Sequence, residues 1–162
     1  MNYVDVIDNF LSDYEFKSFE SIMMAEDFPW FYTDGIYADN EPRRFQFVHM
    51  FYERFGENQS SKYMWLEPVL RKLKMKELVR VKANLTTRTL FPRGGGYHTD
   101  FPDMKTSIFY INTCNGGTKF KGNVKVKSVA NRLVTFDSNL EHQGVTTTDQ
   151  KRRVVLNINY RE

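Results

Sequence analysis

Cysteine occurs once in the 162 residues, as Cys114, so no internal disulfide can form and a packed core must hold the chain together. Long apolar runs are missing as well: nothing approaches the roughly 20 residues a membrane-spanning helix needs. The opening "MNYVDVIDNF" has neither the basic n-region nor the apolar h-region of a signal peptide. The expectation is a soluble, cytoplasmic protein with no membrane partner. One-signed charge is scarce too. The 23 Lys plus Arg against 20 Asp plus Glu leave only +3, too little to demand a polyanion, although nucleic acid is not excluded. Internal repeats, low-complexity segments and linkers are absent, and 162 residues suffice to bury a core, so the chain reads as one domain, 1–162, and as a monomer.

Aromatic residues are plentiful: 14 Phe, 9 Tyr and 2 Trp favour strands and sheet cores over a helical bundle. "FLSDYEF" nevertheless carries a helix start. Ser12 is placed as N-cap, Glu15 closes a capping box, and Leu11 and Phe16 form a staple, which predicts a helix over 13–25 with Phe16, Phe19 and Met23 on its buried face. "SSKYMWLEPVLRKLKMKE" predicts a second, with Trp65, Leu66, Val69, Leu70 and Leu73 on one side and Pro68 in an early turn. Its closing Arg71, Lys72, Lys74 and Lys76 complement the helix dipole and read as a solvated face.

From residue 78 the pattern turns to short β-branched and aromatic runs: "LVRVKANLTT", "TSIFYIN", "TKFKG", "VKVKSV", "RLVTF" and "RRVVLNINY". Separated by "NGG" and "DSN" turns, they predict an antiparallel sandwich or jelly roll rather than βαβ units. Residues 1–78 then supply helical support and substrate-side loops, and 79–162 the β core. The segment 28–57 reads as a hairpin plus an irregular loop, with Phe45, Phe47, His49 and Phe51 on one strand face. Trp30 and Tyr32 are expected in the core rather than lining a substrate mouth, His49 as a partly buried polar residue rather than a ligand, and Cys114 as incidental at a hairpin tip. "RGGG" lacks the G-K-[ST] of a phosphate loop and is expected to form a mobile loop.

With three histidines in the chain, the chemistry narrows to "GYHTDFP" and "NLEHQG". His98 and Asp100 flank one residue, and His142 follows 44 residues later with several strands between. Two histidines and a carboxylate can occupy one face of a non-haem Fe(II) ion and leave three positions open. Zinc is less natural, because no further Cys or His closes a tetrahedral site. Arg153 follows His142 by 11 residues and shares a strand face with Val155, Asn157 and Asn159. A cation inside a barrel calls for an anion, and a dicarboxylic cosubstrate supplies one.

Taken together, "GYHTD", "YIN" before "GGTKF", "VANRLVTFDSNLEHQG" and "RRVVLNINY" resemble the Fe(II)- and 2-oxoglutarate-dependent dioxygenases of the prolyl 4-hydroxylase-like branch, over roughly residue 79 to the end. "VIDNFLSDYE" looks like the opening strand and helix of such enzymes, and small bacterial and bacteriophage oxygenases have this appearance. The resemblance implies a mainly β (α+β) double-stranded β-helix, or jelly roll, with N-terminal helices packed on one sheet. It makes His98, Asp100 and His142 the iron ligands and Arg153 the partner of the 2-oxoglutarate C5 carboxylate, aided by Tyr110. Asn84 and Thr86 match the N-x-Y pattern used around the cosubstrate, with Thr where Tyr is usual, and Asn157 joins the same set. The implied reaction couples decarboxylation of 2-oxoglutarate by O₂ to hydroxylation of an unactivated C–H bond, first of a prolyl or other peptidyl residue. A nucleic-acid-modifying or free amino-acid oxygenase stands behind it, and a non-catalytic jelly-roll binding module outside the enzyme reading. If phage-encoded, the protein would work in the host cytoplasm.

Overall fold

The structure, a computed structural model, describes residues 4–34, 45–56 and 58–162. Residues 35–44 of the segment expected to form a hairpin plus an irregular loop lie outside the described residues. In chain order the elements are β1 (Val4–Ile7), α1 (Asp13–Met23), β2 (Phe31–Asp34), β3 (Phe45–Glu53), β4 (Asn58–Gln59), a 3₁₀ turn (Tyr63–Leu66), α2 (Glu67–Lys72), β5 (Glu77–Thr87), β6 (Lys105–Tyr110), β7 (Gly117–Phe120), β8 (Lys125–Lys127), β9 (Arg132–Asp137), β10 (His142–Val145) and β11 (Arg152–Arg161). Eight strands form a large antiparallel sheet in the order β1-β9-β6-β11-β5-β3-β2, with β4 on β3, and β10-β7-β8 form a small one. This is the mainly β jelly roll expected from the sequence. No helix among the described residues is long and apolar enough to cross a membrane.

Strand β11 shows why both sheets are needed: every residue from Arg153 to Tyr160 is buried. Successive side chains point to opposite faces, so burial of all of them requires cover on both sides. Val154, Leu156, Ile158 and Tyr160 join the apolar cluster beneath α1, together with Val81, Ala83 and Leu85 of β5. Val155 joins a second cluster between the two sheets, with Ile108, Tyr110, Phe120, Val134 and Phe136.

Helix α1 begins as its sequence dictates. Ser12 caps it in a reciprocal box with Glu15, and Phe16, Phe19 and Met23 are buried. Phe109 of β6 receives this face, its ring 5.8, 6.0 and 6.2 Å from those of Phe10, Phe16 and Phe19. Asn131, held at φ 62°, locks the helix entry, accepting from the Leu11 N–H at 2.8 Å and donating to the Leu11 carbonyl at 2.9 Å.

The second predicted helix is shorter than its pattern. Pro68 sits in its first turn and has no N–H to donate, so the α-helix spans only six residues and Tyr63–Leu66 wind as a 3₁₀ turn. Two of its cations are not simply solvated. Arg71 pairs with Glu67 at 3.0 Å and with Glu15, and Lys72 donates to the Phe10 carbonyl while lying 5.3 Å from the Phe10 ring centre.

On β3, His49 and Phe51 are buried, and Phe47 packs against the same cluster as Phe51. His49 is satisfied by the Pro29 carbonyl at 2.8 Å and Ser60 Oγ at 2.9 Å, as suits a structural histidine. Trp30 packs on the core as expected, but Tyr32 is exposed, stacked on Phe45 with ring centres 5.7 Å apart. Strand β2 ends the sheet path, so no further strand among the described residues covers Tyr32. The "RGGG" segment is not a free loop in the structure: Gly94 bridges Val145, and the Gly95 N–H donates to the Gly144 carbonyl at 3.0 Å.

Candidate metal centre and the adjoining cavity

His98 and His142 meet across an isolated antiparallel bridge, which sets their rings 4.4 Å apart. Asp100 completes the group. Its Oδ1 lies 3.9 Å from His98 Nε2 and its Oδ2 3.9 Å from His142 Nε2, and one ligand atom from each residue falls within 4.8 Å of the others. The remaining ring nitrogens turn to main-chain carbonyls, His142 Nδ1 to Leu140 at 2.9 Å and His98 Nδ1 to Gly96 at 3.2 Å. A proton on each Nδ1 leaves the Nε2 lone pairs directed toward Asp100, the tautomer a metal requires.

Burial, then repulsion from His142, pushes His98 down to about 4, and burial likewise lowers His142. Both imidazoles are therefore neutral at pH 7 and ready to ligate. Burial by itself would raise Asp100, but His142, Arg80, Thr106 and Asn159 outweigh it and hold the carboxyl below its usual range. Thr106 Oγ1 donates to Asp100 Oδ2 at 2.9 Å, Asn159 Nδ2 at 3.1 Å and Asn157 Nδ2 at 3.4 Å, while Arg80 lies 3.5 Å from Oδ1.

A cavity opens beside the histidines, with about 480 Å³ of atom-free space including its solvent-filled mouth. Its walls come from facing strands. β11 contributes Arg153, Val155 and Asn157, and β5 contributes Asn84 and Thr86 from the neighbouring register, with Arg153 opposite Thr86 and Val155 opposite Asn84. Arg153 is only 4% exposed. Its Nη2 is 3.4 Å from Thr118 Oγ1, and the guanidinium carbon lies 5.5 Å from the Tyr110 ring centre. The Tyr110 hydroxyl donates to Thr118 at 2.7 Å. Glycines make room here: a Cβ on Gly116 would stand 2.7 Å from the Val145 carbonyl and 3.0 Å from Arg153 Cδ.

The fit to a dicarboxylate rests on three buried polar atoms that have no hydrogen-bond partner among the described residues: Arg153 Nε, Thr86 Oγ1 and Asn157 Oδ1. All three residues line this one cavity. Unsatisfied buried polar atoms are costly and uncommon, so their concentration here marks a ligand's place. Asn84 is already engaged, its Nδ2 donating to Gln46 Oε1 at 3.0 Å.

All eight residues expected at the site thus gather in one region. The sequence reading missed Thr118, which links Tyr110 to Arg153, although it sits in the quoted "GGTKF". It missed Thr106 and Gln46 as well, neither of which carries a motif signal.

The fold is one seen in solved 2-oxoglutarate/Fe(II) oxygenases. Comparison with solved structures gives the fold its particular form, that of the prolyl-4-hydroxylases and their relatives. A Pseudomonas putida prolyl-4-hydroxylase matches with a TM-score of 0.67 at 15% identity, covering 100% of this chain and 94% of its own. A prolyl hydroxylase from Trichoplax adhaerens, in complex with a hypoxia inducible factor peptide, matches at 0.61 and 14%, with 99% and 84% covered. The epimerase SnoN of nogalamycin biosynthesis, in complex with Fe3+, alpha ketoglutarate and a nogalamycin, matches at 0.65 and 11%, with 99% and 79% covered. No protein-family model and no curated protein matches the sequence.

Proposed function

We propose that this protein is an Fe(II)- and 2-oxoglutarate-dependent dioxygenase that hydroxylates an unactivated C–H bond, with a prolyl or other peptidyl residue as first candidate substrate. The observation that carries the reading is the adjacency of a three-ligand metal group to a cavity floored by the buried, incompletely satisfied Arg153.

His98, Asp100 and His142 would hold the metal, which with 2-oxoglutarate and O₂ supplies the oxidising power for C–H cleavage. The chain's own contribution is positional. Thr106, Asn157 and Asn159 fix Asp100, and the Gly96 and Leu140 carbonyls fix the imidazole tautomers. Arg153 receives the far carboxylate of 2-oxoglutarate, with Thr118 and Tyr110 holding the guanidinium in place and Thr86, Asn84 and Asn157 lining the approach. The apolar walls Ile108 and Val155 keep water from the cosubstrate. The peptide bound by the Trichoplax adhaerens neighbour supports a peptidyl substrate for this fold.

The test is anaerobic titration with Fe(II) or Co(II) and 2-oxoglutarate, followed by a mass-spectrometric search for products heavier by one oxygen atom among peptides, oligonucleotides and amino acids. Oxygen-dependent succinate release is expected. A protein that binds metal yet neither binds nor decarboxylates 2-oxoglutarate is instead a jelly-roll binding module.

A further inference from the structure

Lys82 has no part in the scheme above. It lies on β5 in the inward-facing row Arg80, Lys82, Asn84, Thr86, one step beyond the cavity wall toward the metal ligands. Its Cα pairs with that of Asn157, whose side chain reaches Asp100. Though it is partly buried, its ammonium has no hydrogen bond or ion pair among the described residues. Arg80, beside it, is engaged: it faces Asp100 at 3.5 Å, donates from Nε to Asn159 Oδ1 at 3.0 Å and lies 4.7 Å from the Phe101 ring centre. The charged groups acting on Lys82 are Arg80, which opposes its protonation, and Asp100 and Glu53, which favour it. Burial and then Arg80 prevail, drawing it down to about 8, so it remains mostly cationic at pH 7.

The charge of the loaded site does not balance without a further anion. A divalent metal and 2-oxoglutarate cancel each other, and Asp100 offsets Arg80. Arg153 and Lys82 remain, and with only Glu53 to set against them one positive charge is unmatched in a poorly solvated interior, a costly arrangement unless an anion arrives. Arg153 is spoken for by the cosubstrate. Lys82 is not, and its ammonium offers a single point charge, which matches a monoanionic carboxylate, whereas a phosphate dianion would need a further cation.

We propose that Lys82 is a substrate-binding residue that receives a carboxylate carried by a free amino acid or an acidic peptide, next to the C–H bond to be oxidised. This rests on the dioxygenase reading for its placement and narrows that reading to carboxylate-bearing substrates. Arg80 acts as a positioning residue, lying 3.5 Å from Asp100 Oδ1 so that Lys82 is left for the substrate.

The test follows the isotope-labelled Lys82 Cε resonance in the zinc-loaded protein saturated with 2-oxoglutarate, assigned by its loss in Lys82→Met. Acetate should shift it saturably, with acetamide and inorganic phosphate at least about tenfold weaker, a difference of about 1.4 kcal/mol. L-proline and a capped Glu-Pro dipeptide then identify the carrier, the one acting at lower concentration being the closer mimic. Lys82→Arg should retain the preference for acetate over acetamide, read as protection of the loaded protein against thermal unfolding, and Lys82→Met should lose it. An acetate-insensitive resonance, an equal response to acetamide, tighter binding of phosphate, or no response to either amino-acid probe overturns the assignment. The visible spectrum of the cobalt protein on adding 2-oxoglutarate is read separately: no change there defeats the dioxygenase reading, whatever Lys82 does.

Discussion

His98 and His142 each donate a backbone N–H to the other's carbonyl, at 3.0 and 2.9 Å. The two imidazoles are therefore registered by main-chain bonds before any metal arrives. Metal binding should leave secondary structure unchanged while raising the melting temperature with metal concentration, as expected for a ligand that binds only the folded state. Circular dichroism with and without Co(II) checks this, and a metal-free protein lacking β structure would contradict it.

Of the three residues proposed to hold the metal, Asp100 has the most side-chain supports. Asp100→Ala should abolish succinate formation, since it removes one ligand and leaves Arg80 facing no carboxylate. Thr106→Val keeps the shape and deletes one hydrogen bond to Oδ2. Loss of such an outer contact costs about 10- to 100-fold in metal affinity or activity. Cobalt affinity of the two variants separates these effects.

Arg153→Ala should weaken 2-oxoglutarate by about 2 kcal/mol or more, roughly 30-fold in Kd, as when one member of a buried charge pair is removed. Metal affinity should change little, because Arg153 touches none of the ligands. Calorimetric titration of the cobalt protein reads both constants, and unchanged 2-oxoglutarate affinity would mean the anion receptor lies elsewhere.

The metal-free protein should lose stability in acid through its histidines. His98 sits at about 4 in the folded state against an ordinary 6.5. The unfolded chain thus takes up a proton that the folded one resists, so stability is full above about pH 6.5 and declines as pH falls toward 4. His142, also lowered, acts in the same direction. Melting curves at pH 7, 6 and 5 check this, with His98→Asn expected to show the shallower decline.

Phe109 tests the support beneath the site. It is fully buried where Phe10, Phe16 and Phe19 converge, on the face of β6 away from the metal. Phe109→Ala should cost about 3–5 kcal/mol. Urea unfolding measures it, and a loss under about 1 kcal/mol would imply that α1 contributes little to the sheet.

The most legible parts of the site were those where residue type and spacing together bear on chemistry. His98, Asp100 and His142 stand out because histidine is scarce and the H-x-D pair, weak by itself, gains a partner in His142 several strands later, and the period of two put Arg153 on the face of Asn157. Lys82 shares a strand run with Asn84 and Thr86, but nothing in "VRVKANLTT" tells whether its inward row meets water or a second sheet. That depends on how the sheets close, a long-range property. The shortened second helix reflects Pro68, whose effect competes with a clear helical pattern. Tyr32 departed from expectation because an edge strand cannot be told from a central one by its side chains.

Arg152 and Arg153 are adjacent in sequence and serve opposite sides of one strand: Arg152 caps the end of α1 by donating to the Met24 carbonyl, and Arg153 floors the cavity. A slip of β11 by a single residue would exchange their destinations and turn Val154, Leu156 and Ile158 inward, unpicking helix, sheet and cavity together. Alignment errors in this strand are thus punished by the core as well as by the chemistry, so a slip of β11 cannot misassemble the pocket alone.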